Sequence, residues 1–211
     1  MILPRWFLKL AFHLLYYQMA WSYELVAWSV SFGQWSTWRR LAFSFFNKGK
    51  TLELAYGTGV FFTEMLDAGH DPVGLDLSPY MARQASRRLR RQNKPMLLSQ
   101  GKAQMLPFPS HTFDTVVATF PTDYMLQDET LSEIHRVLRE NSGRLIIVTE
   151  GYLRGPWPLR PFVDWLYDVT DQRRIPPEKP IALLTAHNFT ARWEMVEQDG
   201  AVARLLIGEK Q

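Results

Sequence analysis

Two glycines and two acids after residue 50 have the types and spacing of a ligand-binding site. Gly57 and Gly59 follow an apolar run in the stretch LELAYGTGVF at positions 52–61. Glu53 lies four residues before Gly57, and Asp76 lies nineteen residues after it. A glycine loop lets the backbone approach a ligand closely, and a carboxylate at a strand end accepts hydrogen bonds from both hydroxyls of a ribose. The spacing predicts a nucleoside cofactor, either a dinucleotide held by its phosphates or a smaller charged molecule without phosphates.

The dinucleotide alternative requires a third glycine. A dinucleotide-binding loop has the pattern Gly-x-Gly-x-x-Gly, in which the third glycine lets helix and strand pack closely. Counting from Gly57, the third position is Phe62. This departure argues against a nicotinamide-dependent oxidoreductase, and the terminal hairpin described below argues against it as well.

The elements that must position this loop alternate between apolar strands and helices. Strands are predicted at residues 51–56, 72–77, 96–99, 112–120 and 143–149. Helices are predicted at residues 60–68, 79–92 and 127–139, and Ser78 is expected to cap the second of them. Continuous apolar strands separated by helices indicate a parallel sheet that is covered on both faces. Such sheets bind ligands beyond the carboxyl ends of their strands.

The pattern changes after residue 150. Short helices are predicted near residues 161–169 and at 181–187, and strands at 191–197 and 202–207. Asp199-Gly200 joins the two strands and is a hairpin signal. We therefore predict an α/β fold with a doubly wound, mainly parallel seven-stranded sheet that ends in an antiparallel hairpin.

The first 46 residues form a separate aromatic segment. Arg5, Lys9 and His13 recur at spacings of four within the apolar stretch 4–21, so they share one face of a predicted helix. Charges this close together argue against a membrane-spanning helix, and no signal-peptide cleavage site follows. The segment is predicted to be a lid on the body of the protein or an amphipathic anchor in a bilayer interface, with further helices at 21–30 and 35–46. Residues 47–211 would then form the cofactor-binding domain.

Charge and composition limit the kinds of site. The net charge is +3, but residues 77–113 contain no acid and carry +7. This basic segment is interpreted as a solvated helix face, with an anionic lipid surface or nucleic acid as the alternative. The chain has no cysteine, which excludes disulfides and thiolate metal sites, and no metal site is predicted.

Several motifs together resemble the class I S-adenosylmethionine-dependent methyltransferases. They are Glu53-Leu-Ala55-Tyr-Gly57-Thr-Gly59, Asp76, the segment 101–108 and the segment 113–117, in the expected order. The resemblance covers residues 51–150 and implies S-adenosylmethionine as the cofactor, so the loop would hold an aminoacyl sulfonium.

The resemblance also implies roles for individual residues. Ala55, Gly57 and Gly59 would line the methionine moiety, with Glu53 beneath the loop near its ammonium group. Asp76 would bind the ribose. The adenine ring would be held by Leu77, Met81 and the backbone N–H of Ala103, and Phe120 would supply backbone contacts near the sulfonium. Lys102 departs from the Asp or Asn usual in the family and has no acceptor, so the amide oxygen of Gln104 or a backbone carbonyl would accept from the adenine amino group.

The N-terminal segment is similar to that of the ubiquinone and menaquinone C-methyltransferases. There the pair equivalent to Tyr23-Glu24 lies over the cofactor, although Tyr23 could instead be an aromatic residue at a helix interface. After the fourth strand those enzymes have an Arg and an Asn, whereas residues 120–125 of this chain read FPTDYM. The resemblance therefore implies a related scaffold without identifying the acceptor.

Methyl transfer from a sulfonium is a displacement on an activated donor, so the protein mainly aligns the reactants and excludes water. Asp123 and Tyr124 are the candidate bases, with capping of the next helix as the alternative role for Asp123. His135 is predicted to be structural. An apolar lid formed by Trp157, Phe162, Trp165 and Tyr167 would favour a hydrophobic or amphiphilic acceptor: a quinone-like ring, a lipid or a small aromatic molecule.

The sequence alone leaves two alternatives to this activity. The chain could be a nonenzymatic S-adenosylmethionine-binding protein of the same fold, or a nucleic-acid methyltransferase, which the expected place of the basic helix disfavours. We expect a cytoplasmic protein, with peripheral membrane contact through residues 1–20 as an option. The sequence does not indicate the oligomeric state.

Overall fold

The computed structural model describes residues 34–152, 178–198 and 200–211. Several predicted features lie outside the described residues: the helices at 4–21, 21–30 and 161–169, the residue Tyr23 and the four aromatic residues of the predicted lid. Within the described ranges, no helix has the length and apolar character needed to cross a membrane.

A seven-stranded sheet organises the described part of the chain. Its spatial order is β3-β2-β1-β4-β5-β7-β6. The strands are β1 Lys50–Leu54, β2 Asp71–Asp76, β3 Leu98–Gln100, β4 Thr115–Thr119, β5 Arg144–Tyr152, β6 Phe189–Gln198 and β7 Ala201–Lys210. The first five pair in parallel, whereas β7 is antiparallel to both β5 and β6. This confirms the predicted mainly parallel sheet with an antiparallel hairpin at its end.

The described ranges contain five α-helices. They are α1 Trp35–Arg40, α2 Val60–Asp67, α3 Pro79–Arg91, α4 Asp128–Val137 and α5 Glu178–Ala186, with 3₁₀ helices at Leu41–Phe45 and Asp123–Leu126. Helices α2, α3 and α4 connect parallel strands, α1 precedes β1, and α5 precedes β6. Ser78 caps α3 as predicted, because its hydroxyl accepts a hydrogen bond from the backbone N–H of Met81 at 3.3 Å.

Several predicted boundaries were wrong, including three that have a clear structural reason. The single helix at 35–46 is α1 followed by a 3₁₀ helix. The strand predicted at 112–120 begins only at Thr115, because Phe113 pairs with the segment around Leu138 instead of extending the strand. The strand predicted at 96–99 is Leu98–Gln100, since residues 98–100 are the ones that pair with β2.

Both faces of the sheet are buried. Along β4, Val116 and Ala118 belong to one apolar cluster and Val117 belongs to the other. The second cluster also contains Trp38, Leu41 and Phe61, so the described part of the aromatic segment packs directly against the sheet. Trp38 is 1% exposed and covers Gly151 of β5, where a methyl group would overlap the indole ring.

Candidate functional site

The carboxyl ends of β1 and β2 bring the glycine loop and Asp76 together. The backbone N–H of Gly57 donates to Oδ2 of Asp76 at 2.8 Å, and the backbone N–H of Ser78 donates to Oδ1 at 2.7 Å. Asp76 is 8% exposed. Each carboxylate oxygen has a second lone pair, so this side chain can still accept hydrogen bonds from a ligand.

The charge of Asp76 is balanced between two opposing effects. Burial raises the pKa of Asp76, and the backbone N–H groups of Ser78, Gly57 and Leu77 oppose this rise by stabilising the carboxylate. The loop therefore depends on the acid for its shape, and the N–H groups of the loop favour the charged form of the acid.

Glycine is present at the two positions of the loop for different structural reasons. Both have left-handed backbone conformations, with φ of 56° at Gly57 and 76° at Gly59. A Cβ at Gly59 would lie 2.8 Å from the Cβ of Ala85, so this glycine allows α3 to pack against the loop. A Cβ at Gly57 would have no neighbour closer than the Ala55 carbonyl oxygen at 4.0 Å. The surface at Gly57 is therefore open for a ligand.

Ala55 shares this unusual backbone without being a glycine. It is exposed and has φ of 57°, a conformation that costs an L-residue with a Cβ roughly 1–2 kcal/mol. Its N–H donates to the Leu75 carbonyl at 2.7 Å, which holds it against β2. Strain of this kind persists where surrounding contacts enforce it, and it is frequent at ligand-binding sites.

Glu53 is buried beneath the loop with one oxygen unsatisfied. It is 2% exposed, and its Oε2 has no hydrogen-bond partner within the described part of the chain. Burial raises its pKa to about 8; the positive charge of Arg39 opposes this rise, and the negative charges of Asp76 and Glu64 add to it. A buried acceptor of this kind fits a cationic group such as an ammonium ion.

The predicted adenine side of the site contains both exposed and buried residues. Leu77 is 53% exposed, whereas Met81 is 2% exposed and Ala103 is 8% exposed. Leu77 thus offers an open apolar surface, while Met81 is surrounded by the protein. The amide nitrogen of Gln104 donates a hydrogen bond to Oε1 of Gln127 at 2.7 Å. In this orientation the amide oxygen of Gln104 can accept a hydrogen bond from a ligand.

A charged pair on α4 holds the segment that carries Ala103 and Gln104. Glu133 accepts a hydrogen bond from the Leu106 N–H at 2.6 Å. Arg136 donates to the carbonyls of Leu106 and Phe108 at 3.0 and 2.8 Å, and to Glu133 itself. The hydrogen bond from Arg136 lowers the pKa of Glu133, which keeps this acid ionised. Sequence reasoning missed this clamp, for which the only local signal was an acid and an arginine three residues apart.

A second contact missed from sequence joins α3 to the glycine loop. Nε of Arg88 donates to the Thr58 carbonyl oxygen at 3.1 Å. Arg88 was counted only as part of the basic segment, since a backbone acceptor thirty residues away leaves no sequence signal.

The end of β4 presents the predicted sulfonium side and the candidate bases. Phe120 has φ of 50°, and its ring centroid lies 4.3 Å from that of Trp35. Asp123 is exposed, and no side-chain cap precedes α4, so capping of that helix by Asp123 is not observed. Tyr124 is partly buried, with its hydroxyl oxygen inaccessible to solvent.

His135 lies away from these strand ends. Its ring packs edge-on against Phe189 at 5.3 Å, and burial lowers its pKa. These contacts agree with the structural role that the sequence predicts for it.

Comparison with known proteins gives related sequences and related folds. Residues 52–147 match the family model described as a methyltransferase domain. The ubiquinone/menaquinone biosynthesis C-methyltransferase of Pasteurella multocida (strain Pm70) is 31% identical over 142 residues, which cover 63% of this chain and 53% of that protein. The demethylmenaquinone methyltransferase of Lactobacillus johnsonii is 31% identical over 139 residues, covering 60% of this chain and 56% of that protein. The chain thus spans about half the length of these curated relatives.

A solved structure supports the architecture. Geranyl diphosphate C-methyltransferase from Streptomyces coelicolor A3(2), crystallised with Mg²⁺, geranyl diphosphate and S-adenosyl-L-homocysteine, superposes with a TM-score of 0.63. The alignment covers 83% of this chain and 79% of that chain at 14% sequence identity. At this identity the similarity establishes the fold alone.

Proposed function

We propose that the chain transfers a methyl group from S-adenosylmethionine to a small hydrophobic or amphiphilic acceptor. Its methyltransferase domain is similar to those of the class I S-adenosylmethionine-dependent enzymes. The observation that carries this proposal is the arrangement of Gly57, Asp76 and Glu53. An open loop backbone, an acid that accepts two backbone hydrogen bonds and a buried acid with an unsatisfied oxygen lie together at the carboxyl ends of two adjacent strands.

The residues present fit this cofactor. Asp76 accepts from the ribose hydroxyls, and Glu53 faces the ammonium group of the methionine moiety. Leu77 covers the adenine ring, the Ala103 N–H donates to it, and the Gln104 amide oxygen accepts from its amino group. The remaining proposed contacts come from Ala55, Gly57, Gly59, Met81 and Phe120, and from Tyr23 outside the described residues.

The sulfonium supplies a methyl group that is already activated for displacement. The protein therefore contributes alignment and water exclusion, which together can lower a barrier by about 7–11 kcal/mol. The rings of Trp35 and Phe120 form an apolar wall beside the end of β4. An acceptor that carries an ionisable hydroxyl also needs a base, and exposed Asp123 and neighbouring Tyr124 are the proposed groups.

We propose a quinone-like ring as the acceptor. The named relatives are quinone C-methyltransferases, and the aromatic wall suits a flat apolar ring.

The division into an aromatic segment, residues 1–46, and a cofactor-binding domain, residues 47–211, remains part of this proposal. So does the lid or membrane role of residues 1–20.

Calorimetric titration with S-adenosylmethionine and with NAD tests cofactor choice. We expect binding of the sulfonium cofactor alone, and Asp76→Asn should weaken it at least tenfold because a charged acceptor is lost. Asp71→Asn is a matched control at the other end of β2, where the side chain is exposed. Binding of NAD alone would overturn the proposal.

Transfer itself is tested with methyl-labelled cofactor and demethylmenaquinone as the acceptor. Labelled quinone is the expected product. Cofactor binding without label transfer to the quinone, to a lipid extract or to small aromatics would favour the nonenzymatic binding protein. Label transfer to nucleic acid alone would replace the proposed acceptor class.

A further inference from the structure

Helix α3 carries four arginines on one exposed stripe. Arg83, Arg87, Arg90 and Arg91 are all exposed, whereas Met81, Ala85 and Leu89 are buried. At about 100° per residue, the four arginines fall within a sector roughly 100° wide on the side opposite the buried residues. We call these four residues the arginine stripe.

Within the described ranges, no acidic side chain neutralises the stripe. None of its four arginines forms an ion pair with another residue in the described ranges. The guanidinium of Arg83 lies 5.4 Å from the ring centroid of Tyr80, which is itself 45% exposed. The nearby cation Lys94 differs, because it pairs with Asp67. The stripe therefore presents positive charge that the described part of the chain does not pair, and an anionic partner can use it.

A cavity opens beside the stripe. It has a volume of about 410 Å³ and is lined by Gln84, Arg87, Arg88, Arg91 and Gln92. Guanidinium groups carry only donors, arranged in a planar fork that matches the oxygens of a phosphate. No acid is among the described lining residues. The described side of the cavity, formed by α3, therefore suits a phosphate group.

Exposed apolar side chains flank the stripe at both ends. Tyr80 precedes it with 45% exposure, and Met96 and Leu97 follow it with 42% and 51% exposure. A basic surface with apolar side chains at its margins matches a lipid interface, where anionic headgroups meet acyl chains. Nucleic acid would be complementary to the arginines but not to these apolar side chains.

We infer that the arginine stripe docks the protein on an anionic lipid bilayer, with a phospholipid phosphate in the adjoining cavity. This surface is distinct from the cofactor site and from residues 1–20, and it is independent of the acceptor identity. Because α3 begins at the carboxyl end of β2, the docked helix keeps the cofactor site next to the bilayer, from which a hydrophobic acceptor would enter.

Co-sedimentation with vesicles tests the inference, using the full chain. Vesicles of phosphatidylcholine alone are compared with an equal mixture of phosphatidylcholine and phosphatidylglycerol. We expect preferential binding to the mixture that falls as salt rises. The variant R83Q/R87Q/R90Q/R91Q should lose at least tenfold of the affinity for the mixed vesicles, with on the order of a thousandfold as the upper limit.

A second variant controls for net charge. R40Q/K48Q/K50Q/K179Q removes the same number of positive charges from exposed residues away from the stripe, and it should keep affinity within about twofold. Equal losses in both variants, or full retention in the stripe variant, would overturn the inference. Tighter binding of duplex DNA or RNA than of mixed vesicles at the same salt would also overturn it. Calorimetric titration with S-adenosylmethionine verifies the fold of the stripe variant, which should bind the cofactor as the wild type does. A failure of lipid binding would leave the proposed methyl transfer unaffected.

Discussion

The backbone N–H of Gly57 and the carboxylate of Asp76 are joined by a hydrogen bond of 2.8 Å. The acid proposed to bind the ribose therefore also sets the shape of the loop proposed to hold the methionine moiety. Two motifs that are separated by nineteen residues in the sequence act as one unit at the site.

This dual role predicts that Asp76→Asn destabilises the protein without any ligand. The Asn side chain has one acceptor oxygen, so the N–H of Gly57 or of Ser78 loses its partner. We expect a loss of about 1–3 kcal/mol in the free energy of unfolding, measured by urea denaturation. Asp71→Asn should stay within about 0.5 kcal/mol of the wild type, because its side chain is exposed. Equal stability of the two variants would contradict the structural role.

Glu53 should make the stability of the ligand-free protein depend on pH. Its pKa is raised from 4.5 to about 8 in the folded protein, so the folded state binds the proton more tightly than the unfolded state. This stabilisation is fully present below pH 4.5 and is lost as pH rises toward 8. Glu53→Gln should remove this decline, and denaturation curves across that range measure it. A variant with the same pH slope as the wild type would show that Glu53 is not the responsible group.

Cofactor binding should release a proton from Glu53 near neutral pH. With a pKa of about 8 the free side chain is mostly protonated at pH 7, and the cofactor's ammonium favours the carboxylate. Affinity should therefore increase as pH rises toward 8, by up to about tenfold per unit. Titration in buffers of different ionisation enthalpy counts the proton. Glu53→Gln should abolish the release, while Asp71→Asn should preserve it.

Ala55→Gly should stabilise the protein. The left-handed backbone at this residue costs an alanine roughly 1–2 kcal/mol, and the greater freedom of glycine in the unfolded chain returns about 0.4–1 kcal/mol of this. We expect a net gain of up to about 1.6 kcal/mol in urea denaturation. Ala82→Gly, inside α3, provides the opposite control and should lose about 1 kcal/mol. Destabilisation at both sites would contradict the strain at Ala55.

The Glu133–Arg136 clamp should act on cofactor affinity more than on turnover. Arg136→Lys replaces the guanidinium that reaches two carbonyls of the loop behind Ala103 and Gln104. We expect S-adenosylmethionine to bind about three- to tenfold more weakly, with a nearly unchanged transfer rate at saturating cofactor. Arg139→Lys is the control, because Arg139 pairs with Asp114 away from that loop. An equal effect of both substitutions would indicate a general loss of stability instead.

Local patterns in the sequence determined the order of strands and helices, the terminal hairpin, the Ser78 cap and the pairing of a glycine loop with Asp76. These features depend on hydrophobic periodicity, turn residues and strand-end chemistry, all of which act over a few neighbouring residues. Only the tertiary structure decided the rest. It packed Gly59 against Ala85, buried Glu53 with an unsatisfied oxygen and set Arg136 on carbonyls about thirty residues away. Burial and long-range contacts arise from how whole elements pack together, and no single stretch of the chain encodes them.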